Sequence, residues 1–450
     1  MIKPHVFKAN DIRGVVGGES AEWDLDGASA VGAAFAAAFG LDGGEFVISH
    51  DMRASGPELA DAFISGALSQ GASAVDIGLA STDGLWFASG HLHLPGVQLT
   101  ASHNPAAYNG VKFCLPDAAP ITPELMALIK ELTYVDLTPA SAPGSRRELD
   151  LLDAYAAHLH SLVDLSGMRR LKVVVDAGNG MAGYTTPAVL GPLNVEIIGL
   201  FTELDGSFPN HPPNPLEPAN LVDAREAVRA NAADLALVFD GDADRCFIID
   251  ERGEVVSPSV ITALIARAEL AREPGGVIVV NSITSRAVAE VVHAAGGRVA
   301  VSAVGHTRMK AVMAAENAVF GGEHSAHYYF RDFWRADTGM LAALHVLALL
   351  GHAENMSALV AELPSYAASG ELNTAVADPS AAMHEVAAAL SGRGSESWDD
   401  GLLVSGDDWW VSVRESNTEP LLRLNVEARD EATMAALRDQ ALAIIRKATS

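Results

Sequence analysis

The chain has 450 residues, and 49% of them are hydrophobic. A chain of this length is too long to fold around one hydrophobic core, so several domains are expected. Its formal net charge of −27 opposes binding to nucleic acid and to anionic lipid surfaces, and we exclude both as partners. With two cysteines, no amino-terminal apolar segment and no apolar run of bilayer length, the sequence predicts a cytoplasmic protein that has no disulfide framework and no membrane partner.

Strand-like and helix-like segments alternate along most of the chain, and this order predicts α/β domains with mainly parallel sheets. Short apolar runs predict strands at Phe46–Ser49, Ala74–Ile77, Val97–Thr100, Leu171–Val175, Val195–Ile198, Leu235–Phe239, Val277–Val280, Arg298–Val301 and Ala318–Gly321. Beyond Pro364 the pattern predicts exposed-edge strands at Gly370–Val376, Trp409–Val413 and Leu421–Val426. We therefore expect three mixed-sheet α/β domains, residues 1–148, 149–252 and 253–365, followed by a smaller α+β domain, residues 366–450.

The first polar segment of chemical interest is the loop Thr100-Ala101-Ser102-His103-Asn104-Pro105, which follows a predicted strand. Pro105 helps to end that strand, because proline has no backbone N–H. Open α/β sheets place their chemistry at the carboxyl ends of strands, and Ser102 and His103 lie at such an end. A serine needs a base or a cation to act as a nucleophile at neutral pH, and His103, Lys112 or a metal ion would supply it. A polar turn with a capping serine is the alternative.

A loop of alternating aspartates follows a second apolar strand, with Asp240, Asp242 and Asp244 two residues apart. Two like charges roughly 4 Å apart repel by about 4 kcal/mol at an effective dielectric constant of about 20, so the loop favours a bound divalent cation. Oxygen ligands favour Mg²⁺ or Ca²⁺. An EF-hand loop is excluded, because Arg245 stands where that loop requires glycine. A solvated acidic turn is the alternative.

A third polar segment, Arg414-Glu415-Ser416-Asn417-Thr418, lies between two predicted strands, and Arg423 lies just beyond it. An arginine fork, hydroxyls and loop N–H groups suit the binding of a dianion. A plain hairpin loop has the same pattern.

Three further segments carry polar groups with more than one interpretation. Glu323 and His327 follow a predicted strand, where they suit sugar hydroxyls or a structural histidine. His306 lies in a strand-to-helix turn, as a ligand or as a neighbour of the helix N-cap. Arg13 lies in a predicted tight loop, where an anion contact and a surface ion pair are equally open.

Taken together, these segments resemble the α-D-phosphohexomutase family, and most closely its phosphomannomutase/phosphoglucomutase branch. The likeness covers essentially the full length, in the order of that family's four domains around a central cleft. It rests on the match of Asp11–Val16, Thr100–Pro105, Asp205–His211, Asp240–Arg245, Gly322–His327 and Arg414–Pro420 to family signatures. Two departures stand out, since Asn10 replaces an aromatic residue of many relatives and Asn281–Thr284 replaces a lysine-bearing stretch of some phosphomannomutases.

The resemblance implies an enzyme that interconverts hexose 1-phosphate and hexose 6-phosphate through a phosphorylated Ser102 and a hexose 1,6-bisphosphate, which also primes the enzyme. It implies that Mg²⁺ is held by Asp240, Asp242, Asp244 and an oxygen on phosphorylated Ser102. The other implied contacts are those of Arg13, His103, Lys112 and Arg245 with the transferred group, of Glu323, Ser325, His327 and His306 with the sugar, and of Arg414, Ser416, Asn417, Thr418 and Arg423 with the second phosphate.

The sequence leaves the preferred sugar and the oligomeric state open. Mannose and glucose phosphates are the expected substrates, and a phosphoglucosamine mutase is the alternative within the family. A phosphatase acting through Ser102 is a second alternative, and a catalytically inactive sugar-phosphate-binding relative is a third. The intact Ser102, Lys112 and aspartates oppose the inactive relative. The chain is expected to act as a monomer or a dimer.

Overall fold

The computed structural model describes residues 1–415 and 421–447. Two compact units divide the chain: Met1–Ile261 with Ser325–Val360 form the first, and Thr262–His324 with the described residues from Ala361 onward form the second. Within these described ranges, no helix combines the length and the apolar character needed to cross a membrane.

The first sheet is mixed and lies in the first unit. Its strands are β1 (Asp11–Val15), β2 (Glu45–His50), β3 (Ser73–Leu79), β4 (Gly96–Leu99), β5 (Tyr108–Cys114) and β6 (Arg146–Glu148), in the spatial order β1-β5-β4-β2-β3-β6. β4, β2, β3 and β6 are parallel, whereas β5 is antiparallel to β1 and to β4. The accompanying helices are α1 (Leu25–Ala38), α2 (Gly56–Ser69), α3 (Thr82–Leu92) and α4 (Pro123–Leu132). α1 and α2 approach closely, since a Cβ at Gly32 would lie 2.0 Å from the Phe63 carbonyl oxygen.

The second sheet, also in the first unit, combines three parallel strands with an antiparallel hairpin. Its elements in chain order are α5 (Leu152–Leu162), β7 (Leu171–Asp176), α6 (Ala182–Val189), β8 (Val195–Leu200), α7 (Val222–Asn231), β9 (Leu235–Phe239), β10 (Cys246–Asp250) and β11 (Val255–Val256). The strand order is β11-β10-β9-β7-β8, with β9, β7 and β8 parallel. β10 is antiparallel to β9, so the chain reverses in the loop that carries the aspartates.

The elements that follow are divided between the two units. α8 (Pro258–Arg272) leads into β12 (Val277–Asn281), α9 (Arg286–Ala294), β13 (Arg298–Ser302), α10 (His306–Ala315) and β14 (Phe320–Gly322). Within the second unit, β13 and β14 both pair parallel with β12. The first unit holds β15 (Tyr328–Phe330) and β16 (Ala336–Asp337), which are antiparallel, and then α11 (Gly339–Gly351); α12 (Met356–Ala361) follows.

The carboxyl-terminal part of the second unit is an antiparallel sheet with two helices. Its elements are β17 (Ala367–Ala368), β18 (Leu372–Ala375), α13 (Pro379–Leu390), β19 (Ser395–Ser397), β20 (Leu402–Ser405), β21 (Trp409–Glu415), β22 (Leu421–Ala428) and α14 (Glu431–Lys447). The order is β17-β22-β21-β20-β19, and β18 also pairs with β22. The predicted fold class, mixed α/β sheets followed by a smaller antiparallel α+β domain, is confirmed.

Two local predictions are wrong. The segment containing Arg13 is not a tight loop but strand β1, paired along its whole length with β5. Half-buried and buried residues alternate along β1, as is typical of a strand. Gly14 makes this alternation hard to recognise in the sequence. β21 and β22 are not exposed edges but buried inner strands of their sheet, because β20 covers one flank and β17 and β18 cover the other.

Candidate active site

Ser102 lies in the loop between β4 and β5, with its backbone in the left-handed conformation at φ +50°. This conformation is uncommon outside glycine, so surrounding bonds have to hold it. The side chain is buried, and Oγ donates a hydrogen bond to Asp240 Oδ2 at 3.1 Å. His103 Nδ1 lies 3.3 Å from the same Oγ. The structure thus brings the predicted nucleophile into contact with the acidic loop.

The acidic loop connects β9 to β10 and turns at Ala243, where φ is +61°. Every residue of β9 is buried, and the carboxylates follow at its carboxyl end. Asp240, Asp242 and Asp244 are themselves buried, and oxygens of the three lie within 4.8 Å of one another. Buried like charges at such distances repel strongly unless cations compensate them.

Two cations, the partly buried Lys112 and the buried Arg245, face these carboxylates. Lys112, on β5, donates from Nζ to Asp242 Oδ2 and to Asp244 Oδ2, each at 2.7 Å. Arg245 donates from Nε to Asp240 Oδ2 at 2.8 Å. Burial alone would lower the pKa of Lys112, but Asp242 and Asp244 raise it above its ordinary value. Lys112 is therefore held as an ammonium ion.

The carboxylates of the loop differ in proton affinity. Burial raises the pKa of Asp240 well above its ordinary value; the charge of Arg245 opposes this rise, and the charges of Asp244 and Asp242 add to it. Burial acts on Asp242 as well, but the charge and the hydrogen bond of Lys112 bring the pKa of Asp242 below its ordinary value. Burial and the neighbouring charges thus shift the pKa values of Asp240 and Asp242 in opposite directions.

The residues of this loop fit a hard divalent cation. Asp242 Oδ1 and Asp244 Oδ1 are buried, and neither has a hydrogen-bond partner within residues 1–415 and 421–447. A buried carboxylate oxygen without a partner is costly, and a cation would remove that cost. The available donors are all carboxylate oxygens, which suit a hard cation.

His103 and Arg13 also form hydrogen bonds around Ser102. Arg245 Nη2 donates to His103 Nδ1 at 2.8 Å. Burial, with the charges of Arg245 and Arg13, lowers the pKa of His103 well below its ordinary value, so the imidazole is neutral at neutral pH. Arg13 donates from Nη1 to Asn104 Oδ1 at 2.8 Å, within the loop that carries Ser102.

Ser325 and His327, in the first unit, lie beside the acidic loop. The backbones of His327 and Arg245 form an isolated antiparallel bridge. His327 Nδ1 lies 2.8 Å from Ser325 Oγ, and His327 Nε2 lies 3.6 Å from Asp244 Oδ1. The structure therefore places these two predicted sugar-binding residues near the proposed nucleophile's carboxylate partners.

Glu323 and His306 belong to the second unit. Glu323 directly follows β14, and its buried Oε1 accepts hydrogen bonds from Asn281 Nδ2 and from the Gly305 N–H, each at 3.2 Å. His306 is the first residue of α10, immediately after Gly305. The Gly305 bond thus joins Glu323 to the turn that carries His306.

The second unit also brings together Arg414 and Arg423, which are cross-strand partners on β21 and β22. Both arginines converge on Glu371, at 3.5 Å from Arg414 and 3.3 Å from Arg423. The charge of Asp400 also acts on Arg414, and the buried Nε of Arg414 has no hydrogen-bond partner among the described residues. Like charges directly across a sheet are unfavourable, so the pair suits an anion. Ser416, Asn417 and Thr418 lie outside the described residues.

Sequence reasoning missed two residues that contact this chemistry. Thr82, the first residue of α3, donates from Oγ1 to Asp242 Oδ2 at 2.6 Å. Asp337, on β16, has a carboxylate oxygen within 4.8 Å of ligand atoms of Asp244 and His327. The sequence does contain a signal for Thr82, because Ser81 and Thr82 follow a predicted strand and are of the residue types that begin helices. For Asp337 only the fold brings the residues together.

Four family models match the chain in order and cover most of it. They describe alpha/beta/alpha domains I, II and III of phosphoglucomutase/phosphomannomutase at residues 4–135, 153–253 and 257–366, and its C-terminal domain at residues 371–444.

Individual relatives resemble the chain over its full length. The phosphohexose mutases of Xanthomonas campestris pv. campestris are 39% identical over 440 residues, covering 96% of this chain and 97% of the relative. A phosphomannomutase of Salmonella typhimurium is 38% identical over 462 residues, covering 98% and 99%. The crystal structure of a phosphoglucomutase/phosphomannomutase family protein from Burkholderia thailandensis superposes with a TM-score of 0.91 at 32% identity, covering 100% and 99%.

The family resemblance predicted from the motifs is therefore confirmed by full-length similarity in sequence and in fold. The buried serine, the acidic loop and the basic groups around them lie in the matched domains. The chain belongs to the phosphoglucomutase/phosphomannomutase family, and it is an isomerase of the phosphohexose mutase type.

Proposed function

We propose that the chain interconverts hexose 1-phosphates and hexose 6-phosphates with Ser102 as the phosphoryl carrier. The observation that supports this most directly is the contact of Ser102 Oγ with Asp240 inside a buried set of carboxylates and cations. A phosphate on Oγ passes to a free sugar hydroxyl, which gives a hexose 1,6-bisphosphate. The other phosphate of that bisphosphate then returns to Ser102, so the carrier is regenerated.

Asp240, Asp242 and Asp244 are the proposed ligands of Mg²⁺, together with an oxygen of the phosphorylated Ser102. When bound, the ion neutralises charge on the phosphoryl group during its transfer. A phosphoserine and three aspartates carry about five negative charges, and Mg²⁺ with Lys112, Arg13 and Arg245 carries five positive ones. Near-neutrality suits phosphoryl transfer, which depends on positioning and charge compensation.

Lys112 acts as a positioned cation in this proposal rather than as a base. Its ammonium already bonds two carboxylates, and their charges raise its pKa. His103 is neutral, and its Nδ1 accepts a hydrogen bond from Arg245. Arg13 and Arg245 complete the basic groups that receive the transferred phosphate.

Further residues are proposed to bind the rest of the substrate. Glu323, Ser325, His327 and His306 bind sugar hydroxyls, and Arg414, Ser416, Asn417, Thr418 and Arg423 bind the phosphate that does not react. The convergence of Arg414 and Arg423 supports an anion at that position.

Mannose and glucose phosphates are both proposed substrates, with turnover rates within roughly tenfold of each other, which corresponds to about 1.4 kcal/mol. The two sugars differ only at C2. Glu323 is proposed to bind the hydroxyls at C3 and C4, which occupy similar places when the ring is turned end for end. Glucosamine phosphate is the competing substrate.

A side-by-side coupled assay of mannose, glucose and glucosamine 1-phosphates, primed with glucose 1,6-bisphosphate, tests this function. We expect turnover of the first two, and phosphopeptide mapping should find phosphate on Ser102. Turnover of glucosamine phosphate alone would assign the alternative mutase. Release of inorganic phosphate as fast as isomerisation would indicate a phosphatase, and binding without turnover would indicate an inactive relative.

A further inference from the structure

The loop that carries Ser102 is bonded to a residue outside the groups described so far. Arg53 follows β2, and its side chain is only 1% exposed. At 2.7–2.8 Å, its two terminal nitrogens donate to the carbonyl oxygens of Ser102, Asn104, Pro105 and Tyr108. Its Nε donates to Asp51 Oδ2 at 3.3 Å. A guanidinium has five N–H donors, and these bonds use all of them.

Asp51 extends the same network to the backbone N–H of Ser102. Thr100 Oγ1 donates to Asp51 Oδ2 at 2.6 Å and accepts a hydrogen bond from the Ser102 N–H at 2.9 Å. Both backbone polar groups of Ser102 are thus bonded, the N–H to Thr100 and the carbonyl to Arg53. Because Ser102 has a left-handed φ that serine does not favour, these bonds select its conformation.

Residues of the second sheet's loops pack around this network. The Phe208 ring centroid lies 5.2 Å from the guanidinium carbon of Arg53. A Cβ at Gly241, in the acidic loop, would lie 2.5 Å from the Ser102 carbonyl oxygen. The Ser102 carbonyl is therefore confined between Arg53 and the loop that carries Asp240. A shift of this carbonyl would also move Oγ relative to Asp240.

We propose that Arg53 is a positioning residue for phosphoryl transfer, which holds the Ser102 loop so that Oγ stays aligned with the acidic loop. The inference rests on the proposed phosphoserine reaction. Arg53 has no donor left for a substrate, so it acts through the loop. A lysine at this position would keep the charge but present three donors from a single atom, which does not replace the planar guanidinium fork.

The test compares Arg53→Lys with the wild type and with Arg146→Lys. Arg146 lies on β6 of the same sheet and binds Asp76 and Asp61 instead of the Ser102 loop. For each protein, kcat and KM are measured with mannose 1-phosphate and glucose 1,6-bisphosphate, and mass spectrometry follows Ser102 phosphorylation by the bisphosphate. Circular dichroism establishes that each variant is folded at the assay temperature.

We expect Arg53→Lys to lower kcat and the rate of Ser102 phosphorylation about 100-fold while KM changes less than about threefold, because misplacement of a reacting group by about 1 Å has that effect. Arg146→Lys should leave both parameters within about twofold of wild type. A folded Arg53→Lys protein with unchanged kcat, or with only KM raised, would overturn the inference.

Thr100→Val decides the question if Arg53→Lys does not fold. This variant keeps the side-chain shape but removes the hydroxyl that binds the Ser102 N–H. A loss confined to kcat supports positioning of Ser102 by the network, and a wild-type kcat overturns it.

A wild-type protein that neither isomerises sugar phosphates nor accepts phosphate on Ser102 would refute the proposed function itself, and this inference with it. An active wild type with an unaffected Arg53→Lys variant refutes the inference alone.

Discussion

The acidic loop of the first unit and the arginine pair of the second unit balance their charges in opposite ways. In the acidic loop, three carboxylates exceed the two cations bonded to them, and the buried atoms without hydrogen bonds include carboxylate oxygens. In the arginine pair, Arg414 and Arg423 both contact Glu371, and the buried Nε of Arg414 has no hydrogen-bond partner among the described residues. The buried atoms without partners therefore indicate the ligand of each site, a cation at the first and an anion at the second.

Ser102→Ala gives the largest expected effect, because it removes the proposed carrier from the acidic site and leaves the arginine pair intact. Mutase activity should fall by several orders of magnitude, as it does when other enzymes lose their nucleophile. The coupled mutase assay measures the loss, and equilibrium binding of hexose phosphate should persist. Substantial activity in this variant would show that the phosphoryl group is carried elsewhere.

Asp242→Asn comes next, since it removes one of the charges that the acidic loop offers to a cation. Turnover should fall at least about 100-fold. This loss is larger than the one typically caused by replacing a residue that only supports a metal ligand. Titration calorimetry with Mg²⁺ should show weakened binding independently of activity. Asp234→Asn is the matched control, because Asp234 pairs with Arg169 and lies outside the acidic loop. Full activity of the wild type after chelation would mean that the loop has a structural role.

Arg414→Ala tests the opposite charge balance in the second unit. Loss of a charge-assisted fork to phosphate should raise KM about 10- to 100-fold, lower kcat and increase escape of the bisphosphate, while Ser102 remains phosphorylatable. Steady-state kinetics and release of labelled bisphosphate measure these effects. Arg438→Ala on α14, which removes an ion pair with Asp439, should change none of them. If Arg414→Ala behaves like Arg438→Ala, the pair does not bind phosphate.

The smallest expected effect is on the free energy of unfolding rather than on catalysis. It comes from an ion pair of the first unit that lies outside the acidic loop. His211 Nε2 lies 3.2 Å from Asp176 Oδ2, and its Nδ1 bonds the Pro212 carbonyl at 2.9 Å. Burial alone would lower the pKa of His211, but the hydrogen bond and charge of Asp176 raise it above its ordinary value of 6.5. The stabilisation is therefore complete below about pH 6.5 and is lost as the pH rises through the raised folded-state value.

Urea unfolding of the wild type and His211→Gln at about pH 5.5 and about pH 8 measures this dependence. The difference in the free energy of unfolding should be larger at the lower pH. His384→Gln is the control, because His384 is exposed, its Nδ1 bonds the Ser380 carbonyl in its own helix, and its ring stacks on Trp398. An equal difference at both pH values would show that folding does not raise the pKa of His211.

The strongest local patterns in the sequence predicted the fold and the motif positions. The apolar run Leu235–Phe239 is strand β9, and the aspartates follow at its end as expected. The sequence pattern gave a wrong prediction where the pairing of strands in the sheet decides how exposed a strand is. The segment Trp409–Val413 was predicted as an exposed-edge strand, yet β20 and β22 pair with it on both sides. Local composition does not reveal how many neighbours a strand has.

The sequence by itself determined the order of the domains and the family resemblance, and it predicted the residues that are proposed to carry the phosphoryl group, because each depends on local spacing and residue type. Only the tertiary structure decided which charges neutralise one another. Lys112 reaches Asp242 and Asp244 across 130 and 132 residues of the chain, and Arg53 reaches Ser102 across 49 residues. Charge pairing and hydrogen bonding depend on distances of a few ångströms, and the folding of the whole chain sets those distances.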